Sequence, residues 1–257
     1  MESARASVAF FDRLARDHYD HHGDGNVLLR YRCAVIRGLI GPTRGRTVLE
    51  LGCGPADHLF ALADDAALRY GIDFSDGMVS AANEKAARLG LTERTRIYRA
   101  DAAETWELPD ATCDTVFCVG AFEHMSKKTR VLKNVVRMLR PGGVFVCLTG
   151  NGAHLWHSII GPALRLDTRH LSTDHFVTAS GFKHRAKAAG LWNITTGSWS
   201  FVPAGDMSPG LAAALRSLER IGAVLRFPVF CGGLWLRGEK SLLGDLRSSP
   251  DRTSDRE

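Results

Sequence analysis

From residue 47 to residue 150, short apolar runs alternate with longer stretches that carry apolar residues at helical spacing. The strand-like runs read TVLEL, RYGID, TRIYRAD, CDTVFCVG and GGVFVCLTG, and the helical patterns fall at 57–66, 76–89 and 127–139. Strands that alternate with helices in this way predict βαβ units, which build a mostly parallel sheet covered by helices on both faces. Such open sheets bind ligands at the carboxyl ends of their strands. The loops that follow the strands are therefore predicted to form the functional site.

The loop after the first strand, within VLELGCGPADH at 48–58, combines an acid with two glycines. Gly52 and Gly54 permit a tight turn and allow backbone N–H groups to approach a ligand closely. The dinucleotide-binding fingerprint would place a third glycine at the position of Asp57, and Glu50 precedes the first glycine by two residues. Because a carboxylate repels a diphosphate and attracts an ammonium group, this loop favours a cationic ligand.

A second acid ends the next strand, since RYGID closes on Asp73, 23 residues after Glu50. An acid at this spacing is typical of a carboxylate that accepts hydrogen bonds from the hydroxyls of a ribose. A nucleoside that carries an amino-acid group would satisfy Glu50 and Asp73 together.

Five segments, in order along the chain, resemble the class I S-adenosylmethionine-dependent methyltransferases, in particular the small-molecule branch similar to ubiquinone and menaquinone methyltransferases. VLELGCGPAD is similar to the glycine-rich first motif, GIDFSDGMV to the ribose-binding second, RADAAETWELPD to the adenine-binding third and CDTVFCVGAFEHM to the fourth, and VVRMLRPGGVFVCL resembles the helix, turn and strand that follow. The resemblance implies a Rossmann-like, doubly wound, seven-stranded and mostly parallel α/β sheet with an antiparallel edge pair. It also implies S-adenosylmethionine as the cofactor.

The resemblance implies the contacts of this cofactor residue by residue. Its methionine part would be held by Glu50, Gly52 and Gly54, its ribose by Asp73 and its adenine edge by Asp101 and Ala102, with Met78 near the ring and Val119 on the floor of the site. Tyr19 lies in a leading segment that resembles the helix folded over the cofactor in this family. Ala56 departs from the pattern, because the family often has a third glycine there, and this difference affects the expected loop geometry more than binding.

Methyl transfer needs a nucleophile held in line behind the methyl group and, for a hydroxyl or an ammonium acceptor, a group that removes a proton. Histidine suits that task near pH 7. His124 follows the fourth strand and His154 follows the fifth, so both are candidate catalytic bases, although either could instead only hydrogen-bond to the backbone. The cluster of His18, His21 and His22 lacks a matching pattern of carboxylates and cysteines, and no metal site is predicted.

The chain is predicted to form one core with additions at both ends. Residues 1–46 are predicted to be an N-terminal helical cap, residues 47–240 the methyltransferase domain and residues 241–257 a disordered tail. Substrate-side insertions are expected around 151–176 and 205–228, where the sequence departs most from the shared pattern. These insertions should define the acceptor.

Composition argues against several other classes of protein. No apolar run reaches the roughly 18 residues of a membrane span, and charges interrupt the N-terminus, so we expect a cytoplasmic protein without stable membrane insertion. The six cysteines are scattered singly and are predicted to be reduced and mostly buried. The net charge of +5 is spread along the chain and forms no basic block. Many nucleic-acid methyltransferases carry an Asn or Asp followed by Pro, Pro and an aromatic residue after the fourth strand, and this chain has VGAFEH there. No nucleic-acid partner is therefore expected.

The sequence therefore predicts S-adenosylmethionine-dependent methyl transfer to a small-molecule acceptor. Our preferred hypothesis is O-methylation of a hydroxyl on an aromatic, quinone-like or natural-product metabolite. N- or C-methylation of a small metabolite is an open alternative, as is a noncatalytic or repurposed protein that binds S-adenosylmethionine. The sequence indicates neither the acceptor nor the oligomeric state.

Overall fold

The structure is a computed structural model that describes residues 10–13, 15, 25–104, 108–155, 158–159, 175–199, 214, 217, 220–221 and 227–242. Its helices are α1 (Gly25–Ile40), α2 (Asp57–Leu62), α3 (Asp76–Arg88), α4 (Lys128–Met138) and α5 (Ala179–Ala189). Its strands are β1 (Thr47–Leu51), β2 (Leu68–Asp73), β3 (Thr95–Arg99), β4 (Cys113–Val119), β5 (Leu139–Gly150), β6 (Leu191–Trp199) and β7 (Gly233–Lys240). Short 3₁₀ helices occupy Thr92–Arg94, Phe122–His124 and Pro228–Phe230.

The strands form one seven-stranded sheet in the order β3-β2-β1-β4-β5-β7-β6. Neighbouring strands are parallel except for β7, which runs antiparallel to both β5 and β6. The strand order reverses between β1 and β4, so the loops that follow these two strands meet at one edge of the sheet. The predicted doubly wound, mostly parallel sheet with an antiparallel edge pair is confirmed.

Both faces of the sheet are buried, as the side chains of β4 show. Val116 and Cys118 belong to a core cluster that also contains residues of α4 and α5. Phe117 and Val119 belong to a second cluster, which contains residues of α1, α2 and α3. Because side chains alternate between the two faces of a strand, a strand buried on both faces is apolar at almost every position. This explains why the central strands are continuous apolar runs in the sequence.

Two element boundaries differ from the predicted ones. The helix predicted at 57–66 ends at Leu62, because the chain leaves the helix at Ala63 and turns before β2. The RPGG turn lies inside β5 as an irregularity, where the register with β4 shifts between the pairs Cys113↔Leu139 and Thr115↔Val144. Glycine in a strand often marks such a bulge, so this turn redirects β5 without ending it.

Several predicted features fall partly or wholly outside the described residues. Of the two substrate-side insertions, the structure describes 151–155, 158–159 and 175–176 in the first and 214, 217, 220–221 and 227–228 in the second. The predicted tail is described only at residues 241–242. All six cysteines are free and buried, as predicted. Among the described residues, no helix is long and apolar enough to cross a membrane.

Two glycine–tryptophan pairs join β6 to β7. Gly197 lies opposite Trp235, and Trp199 lies opposite Gly233. A Cβ built on Gly233 would lie 2.5 Å from the Trp199 ring and 2.6 Å from the Trp199 carbonyl oxygen. The Trp199 indole also donates a hydrogen bond to the carbonyl of Leu234, which holds the ring over the glycine. The absence of a side chain at Gly233 therefore permits the buried position of Trp199.

We expect Gly233→Ala to destabilise the protein by about 1–3 kcal/mol, the usual cost of forcing extra volume into a packed region. Gly238→Ala is a matched control in the same strand, because its new methyl group would come no closer than 3.4 Å to Leu191. Chemical denaturation of both variants measures the difference. Equal free energies of unfolding for the two variants would contradict this account of the tryptophan contact.

Candidate active site

The loop after β1 owes its shape to three residues with positive φ. Gly52, Gly54 and Ala56 have φ values of 62°, 50° and 62°. A Cβ on Gly52 would lie only 2.3 Å from the Cβ of Ala121, because the loop packs directly against the turn that follows β4. A bare backbone at Gly52 is therefore required for the loops of β1 and β4 to meet.

Ala56 adopts the left-handed conformation at the position where the related motif often has a third glycine. It is fully buried and directly precedes helix α2. An L-residue in this conformation costs about 1–2 kcal/mol relative to the right-handed region. The backbone therefore keeps the geometry that glycine would adopt, at the conformational cost that an alanine has there.

Glu50 lies at the end of β1 with its side chain buried. Its Oε2 accepts a hydrogen bond from the backbone N–H of Leu59 at 3.0 Å, and its Oε1 lies 3.5 Å from Nδ1 of His58. Burial raises the pKa of Glu50 well above its ordinary value, the Leu59 N–H opposes this rise, and the nearby charge of Asp73 adds to it. A cation placed next to this carboxyl group would favour its ionised form.

Asp73 ends β2 and joins two loops through its carboxylate. Its Oδ2 accepts from the N–H of Gly54 at 2.9 Å, and its Oδ1 accepts from the N–H of Ser75 at 3.0 Å. Burial raises the pKa of Asp73, while hydrogen bonds from the backbone of Ser75, Gly54 and Phe74 partly offset that rise. Met78 is buried in the first turn of α3, and a Cβ on Gly54 would lie 3.8 Å from its sulfur. Gly54, Asp73 and Met78 are thus brought together.

The predicted adenine-binding residues follow β3, the strand next to β2. Asp101 is exposed, and its Oδ1 accepts a hydrogen bond from the N–H of Ala103 at 2.8 Å. Ala102 is buried, and its carbonyl accepts from the side chain of Asn134 on α4. The N–H of Ala100 donates to the carbonyl of Asp73, so this segment continues beside the ribose candidate.

Val119 and His124 lie at and after the end of β4. Val119 is buried, and His124 is half-buried in the 3₁₀ turn Phe122–His124. The buried Lys128 side chain donates to the carbonyls of Phe122, Glu123 and Met125, which fixes the backbone of this turn. The backbone that carries the His124 imidazole is therefore held rigidly.

His154 lies after β5, the strand next to β4. It is buried, and burial lowers its pKa although a hydrogen bond with the backbone of Phe230 opposes the shift. Its backbone N–H donates to the carbonyl of Asn151. The two candidate bases thus lie on the loops of neighbouring strands, and His154 is held in its neutral form near pH 7.

Sequence reasoning missed a buried acid next to His124. Glu123 accepts a hydrogen bond from the hydroxyl of Thr149 on β5 at 2.8 Å, and its carbonyl accepts from the N–H of His175 at 3.0 Å. This residue therefore connects the β4 turn to β5 and to the end of the first insertion. The signal in the sequence was an acid four residues after an apolar strand, which also fits an exposed turn.

Sequence reasoning also missed the contacts of the N-terminal helical segment, defined as residues 10–13 and 15. Phe11 contacts the rings of Phe74 and His124, and Asp12 accepts hydrogen bonds from Ser75 and Gly77. These contacts join residues more than 60 positions apart, and no spacing in the sequence indicates them. Tyr19, the residue predicted to approach the cofactor from this end, lies outside the described residues.

In the described ranges, no group of three or more His, Cys, Asp or Glu side chains is arranged to hold a metal ion.

Comparisons with known proteins show which family this chain resembles. Residues 48–143 match the family described as a methyltransferase domain. The chain is 29% identical to the 2-methyl-6-phytyl-1,4-hydroquinone methyltransferase of Synechocystis sp. over 81% of this chain and 74% of that protein. It is 33% identical to the ubiquinone biosynthesis O-methyltransferase of Bordetella avium over 62% of this chain and 68% of that protein. Other curated relatives match over 29% to 59% of their own length.

A solved structure gives the same fold. The [4+2]-cyclase SpnF has a TM-score of 0.64 and 18% identity, over 92% of this chain and 96% of that chain.

A doubly wound sheet with acids and glycines at the ends of β1 and β2 defines a nucleoside-binding α/β protein. The chain belongs to the class I S-adenosylmethionine-dependent methyltransferases, in the branch that acts on small molecules. It is an enzyme, and S-adenosylmethionine is its cofactor.

We expect Glu50→Gln to raise the melting temperature of the cofactor-free protein near pH 7. Because the pKa of Glu50 is raised on folding, the folded state binds more protons than the unfolded state between the unfolded and folded pKa values. Stability conferred by the protonated group is therefore lost as pH rises through this window. Glutamine does not titrate and retains an oxygen for the Leu59 N–H.

Thermal unfolding near pH 4 and near pH 7 measures this effect, and the gain in melting temperature should shrink at the lower pH, where wild-type Glu50 is protonated in the folded state and mostly protonated in the unfolded state. A gain of the same size at both pH values would show that the penalty does not come from ionisation.

Proposed function

We propose that this enzyme transfers the methyl group of S-adenosylmethionine to the oxygen of a hydroxyl on an aromatic, quinone-like or natural-product small molecule. The observation that carries the proposal is the position of His124, on the turn whose Ala121 packs against Gly52 of the glycine loop. A titratable imidazole at this place suits an acceptor that must lose a proton. One relative, named for O-methylation in ubiquinone biosynthesis, supports the oxygen acceptor, and another, named for a hydroquinone, supports only the quinone-like class of acceptor.

The residues present fit the cofactor. Glu50 and Asp73 are buried carboxyl groups with raised pKa values, and contact with an ammonium group or with hydroxyl donors would compensate for their burial. We assign the methionine part to Glu50, Gly52 and Gly54, the ribose to Asp73, the adenine edge to Asp101 and Ala102, and the surrounding apolar contacts to Met78 and Val119. Tyr19 is assigned to the same site from the N-terminal side.

When bound, S-adenosylmethionine supplies an electrophilic methyl group on a sulfonium ion. The protein must hold the acceptor oxygen in line behind that group and remove its proton. His124 would accept the proton on an imidazole nitrogen as the oxygen attacks. His154 is the second candidate, because the lowered pKa of this buried side chain keeps it neutral and able to accept a proton near pH 7.

A mass-spectrometric screen tests the reaction. The enzyme would be incubated with S-adenosylmethionine that carries a deuterated methyl group and with a panel of hydroquinones, catechols, phenols, amines and activated ring carbons. We expect the label on the oxygen of at least one hydroxyl compound. Label found only on nitrogen or carbon would overturn the assignment to oxygen and would favour the alternative acceptors.

A second candidate function is a repurposed protein that binds the cofactor and catalyses another reaction. The observation in its favour is the similar fold of a protein described as a [4+2]-cyclase. A nucleic-acid substrate is disfavoured, because VGAFEH follows β4 and the net charge of +5 is diffuse. Tight binding of S-adenosylmethionine without any labelled product across the panel would favour the repurposed protein.

The cofactor assignment predicts that calorimetry detects S-adenosylmethionine or its demethylated product and detects no binding of NAD. Loss of a hydrogen bond to a charged group costs about 1.5–3 kcal/mol, so Asp73→Ala should weaken binding at least about tenfold. Asp110→Ala, which removes the exposed partner of Arg137, is the control. An unchanged affinity in a folded Asp73→Ala variant would remove the ribose assignment.

The base assignment predicts that replacement of the correct histidine by alanine lowers kcat by ~10²–10⁴ with little change in cofactor affinity, because a general base acts in the transition state. The wild-type rate should rise with pH as the imidazole loses its proton, and an unperturbed histidine titrates at about 6.5. For His154 this rise should occur at lower pH, since burial lowers its pKa.

Steady-state kinetics of the two single variants and the double variant measure the effect. The variant that lacks the catalytic histidine should lose the increase in rate with pH. Alternatively, it should recover rate at higher pH, where the acceptor ionises by itself. Wild-type activity in all three would exclude a histidine base and would leave proximity to the methyl donor as the source of the rate.

A further inference from the structure

The N-terminal helical segment is attached to the turn that follows the ribose-binding candidate. Oδ1 of Asp12 accepts hydrogen bonds from the hydroxyl of Ser75 and, at 3.2 Å, from the backbone N–H of Gly77. Ser75 is fully buried and is also the N-cap of α3, where its hydroxyl accepts from the N–H of Met78. Because the N–H groups of the first helical turn have no partner within the helix, a carboxylate is well placed there.

The backbones of the two segments are in close contact at Gly77. A Cβ on Gly77 would lie 3.0 Å from the Cβ of Ala15 and 3.4 Å from the backbone of Asp12. The Asp12 hydrogen bonds are therefore part of a packed contact in which a glycine allows the helical segment to approach α3. Rotation of the Asp12 side chain alone would not release the segment.

This anchor places Phe11 between the turn after β2 and the turn after β4. The centroid of the Phe11 ring lies 5.5 Å from the ring centroid of Phe74, in the turn after β2. It lies 5.3 Å from the centroid of the His124 imidazole, in the turn after β4. Both contacts are edge-to-face, with interplanar angles of 88° and 67°. This is a favourable geometry for aromatic rings.

The backbone of His124 is already fixed, so its side-chain torsions are what a neighbouring ring can restrict. Its N–H donates to the carbonyl of Ala121 within the 3₁₀ turn, and Lys128 binds the carbonyls on either side of it. Phe11 contacts the imidazole itself. A general base must lie within hydrogen-bonding reach of the proton that it removes, so the orientation of this ring affects its use in catalysis.

We propose that Phe11 is a positioning residue that orients the His124 imidazole, and that Asp12 holds Phe11 in place by anchoring the helical segment to Ser75 and Gly77. This role rests on the proposed function of His124 as the base. The N-terminal helical segment then connects the turn after Asp73 to the turn that carries His124. Correct placement of the imidazole then requires an intact contact with the cofactor-binding side of the sheet.

The first test observes His124 directly and needs no acceptor. The imidazole C–H resonance of His124, identified by its loss in His124→Gln, would be followed by NMR with the demethylated cofactor bound. Phe11→Leu removes the aromatic ring and defines the chemical shift without its ring current. We expect Asp12→Ala to move the His124 resonance toward the Phe11→Leu value, although Asp12 is not the residue in contact with His124.

Asp76→Ala is the matched control for Asp12→Ala. It removes a carboxylate from the first turn of the same helix, and Asp76 is exposed and pairs with Arg99. The control should leave the His124 resonance in place. An unmoved resonance in Asp12→Ala, or an equal shift in Asp76→Ala, would overturn the anchoring role of Asp12.

The second test separates positioning from a structural role, with the best acceptor from the labelled-methyl screen. Phe11→Leu should lower kcat about tenfold or more, while the affinity for the demethylated cofactor changes less than about twofold, since misplaced catalytic groups cost rate more than binding. Phe11→Tyr retains the ring and should restore kcat. Equal kcat in Phe11→Leu and wild type would overturn the proposal.

Failure of the proposed function would look different. If no compound in the panel is methylated, the resonance test still shows whether Asp12 and Phe11 hold the imidazole. If methylation proceeds and His124→Gln retains wild-type kcat, His124 is not the base and the positioning role is overturned with it.

Discussion

The Asp73 carboxylate is the contact on which the geometry of this site depends. It accepts backbone hydrogen bonds from Gly54 in the loop after β1 and from Ser75 in the turn after β2, so a single side chain sets the distance between two loops. A buried carboxylate is costly unless it is hydrogen-bonded, and charge-assisted bonds from backbone N–H groups are among the stronger compensations. The same group is the one that we assign to the ribose, so under this assignment one side chain both positions the two loops and binds the ligand.

Buried acids at one edge of the sheet indicate that this edge is arranged for binding and chemistry more than for stability. Glu50 lies one residue before the end of β1, Asp73 ends β2 and Glu123 follows β4, and each is nearly inaccessible to solvent. Burial raises the pKa values of Glu50 and Asp73. Folding therefore works against their ionised forms, and the apolar packing on both faces of the sheet offsets this cost. Buried acids with raised pKa values, such as Glu50 and Asp73, are typical of functional sites.

The fold was largely predictable because its signals are local. Central strands buried on both faces must be continuous apolar runs, and the helix Ala179–Ala189 ends at Gly190, whose φ of 104° is one that glycine adopts easily. The shape of the loop after β1 was predictable for the same reason, since Gly52 and Gly54 are needed where the backbone turns. The end of α2 at Leu62 was not, because the apolar pattern continues past it and the turn toward β2 stops the helix. Ala56 likewise adopts a glycine-like conformation that its own preference does not indicate.

The sequence by itself determined the class of fold, the strand ends where ligands bind and the acids that suit an aminoacyl nucleoside, because each depends on neighbours within a few residues or on the order of the elements. Only the tertiary structure decided which distant groups meet there. The contacts of Asp12 with Ser75 and Gly77 and of Phe11 with His124 join residues that no periodicity relates, as does the bond between Thr149 and Glu123. Such contacts arise when the sheet brings the carboxyl ends of β2, β4 and β5 to one edge, since the position of each side chain there depends on the packing of the whole core.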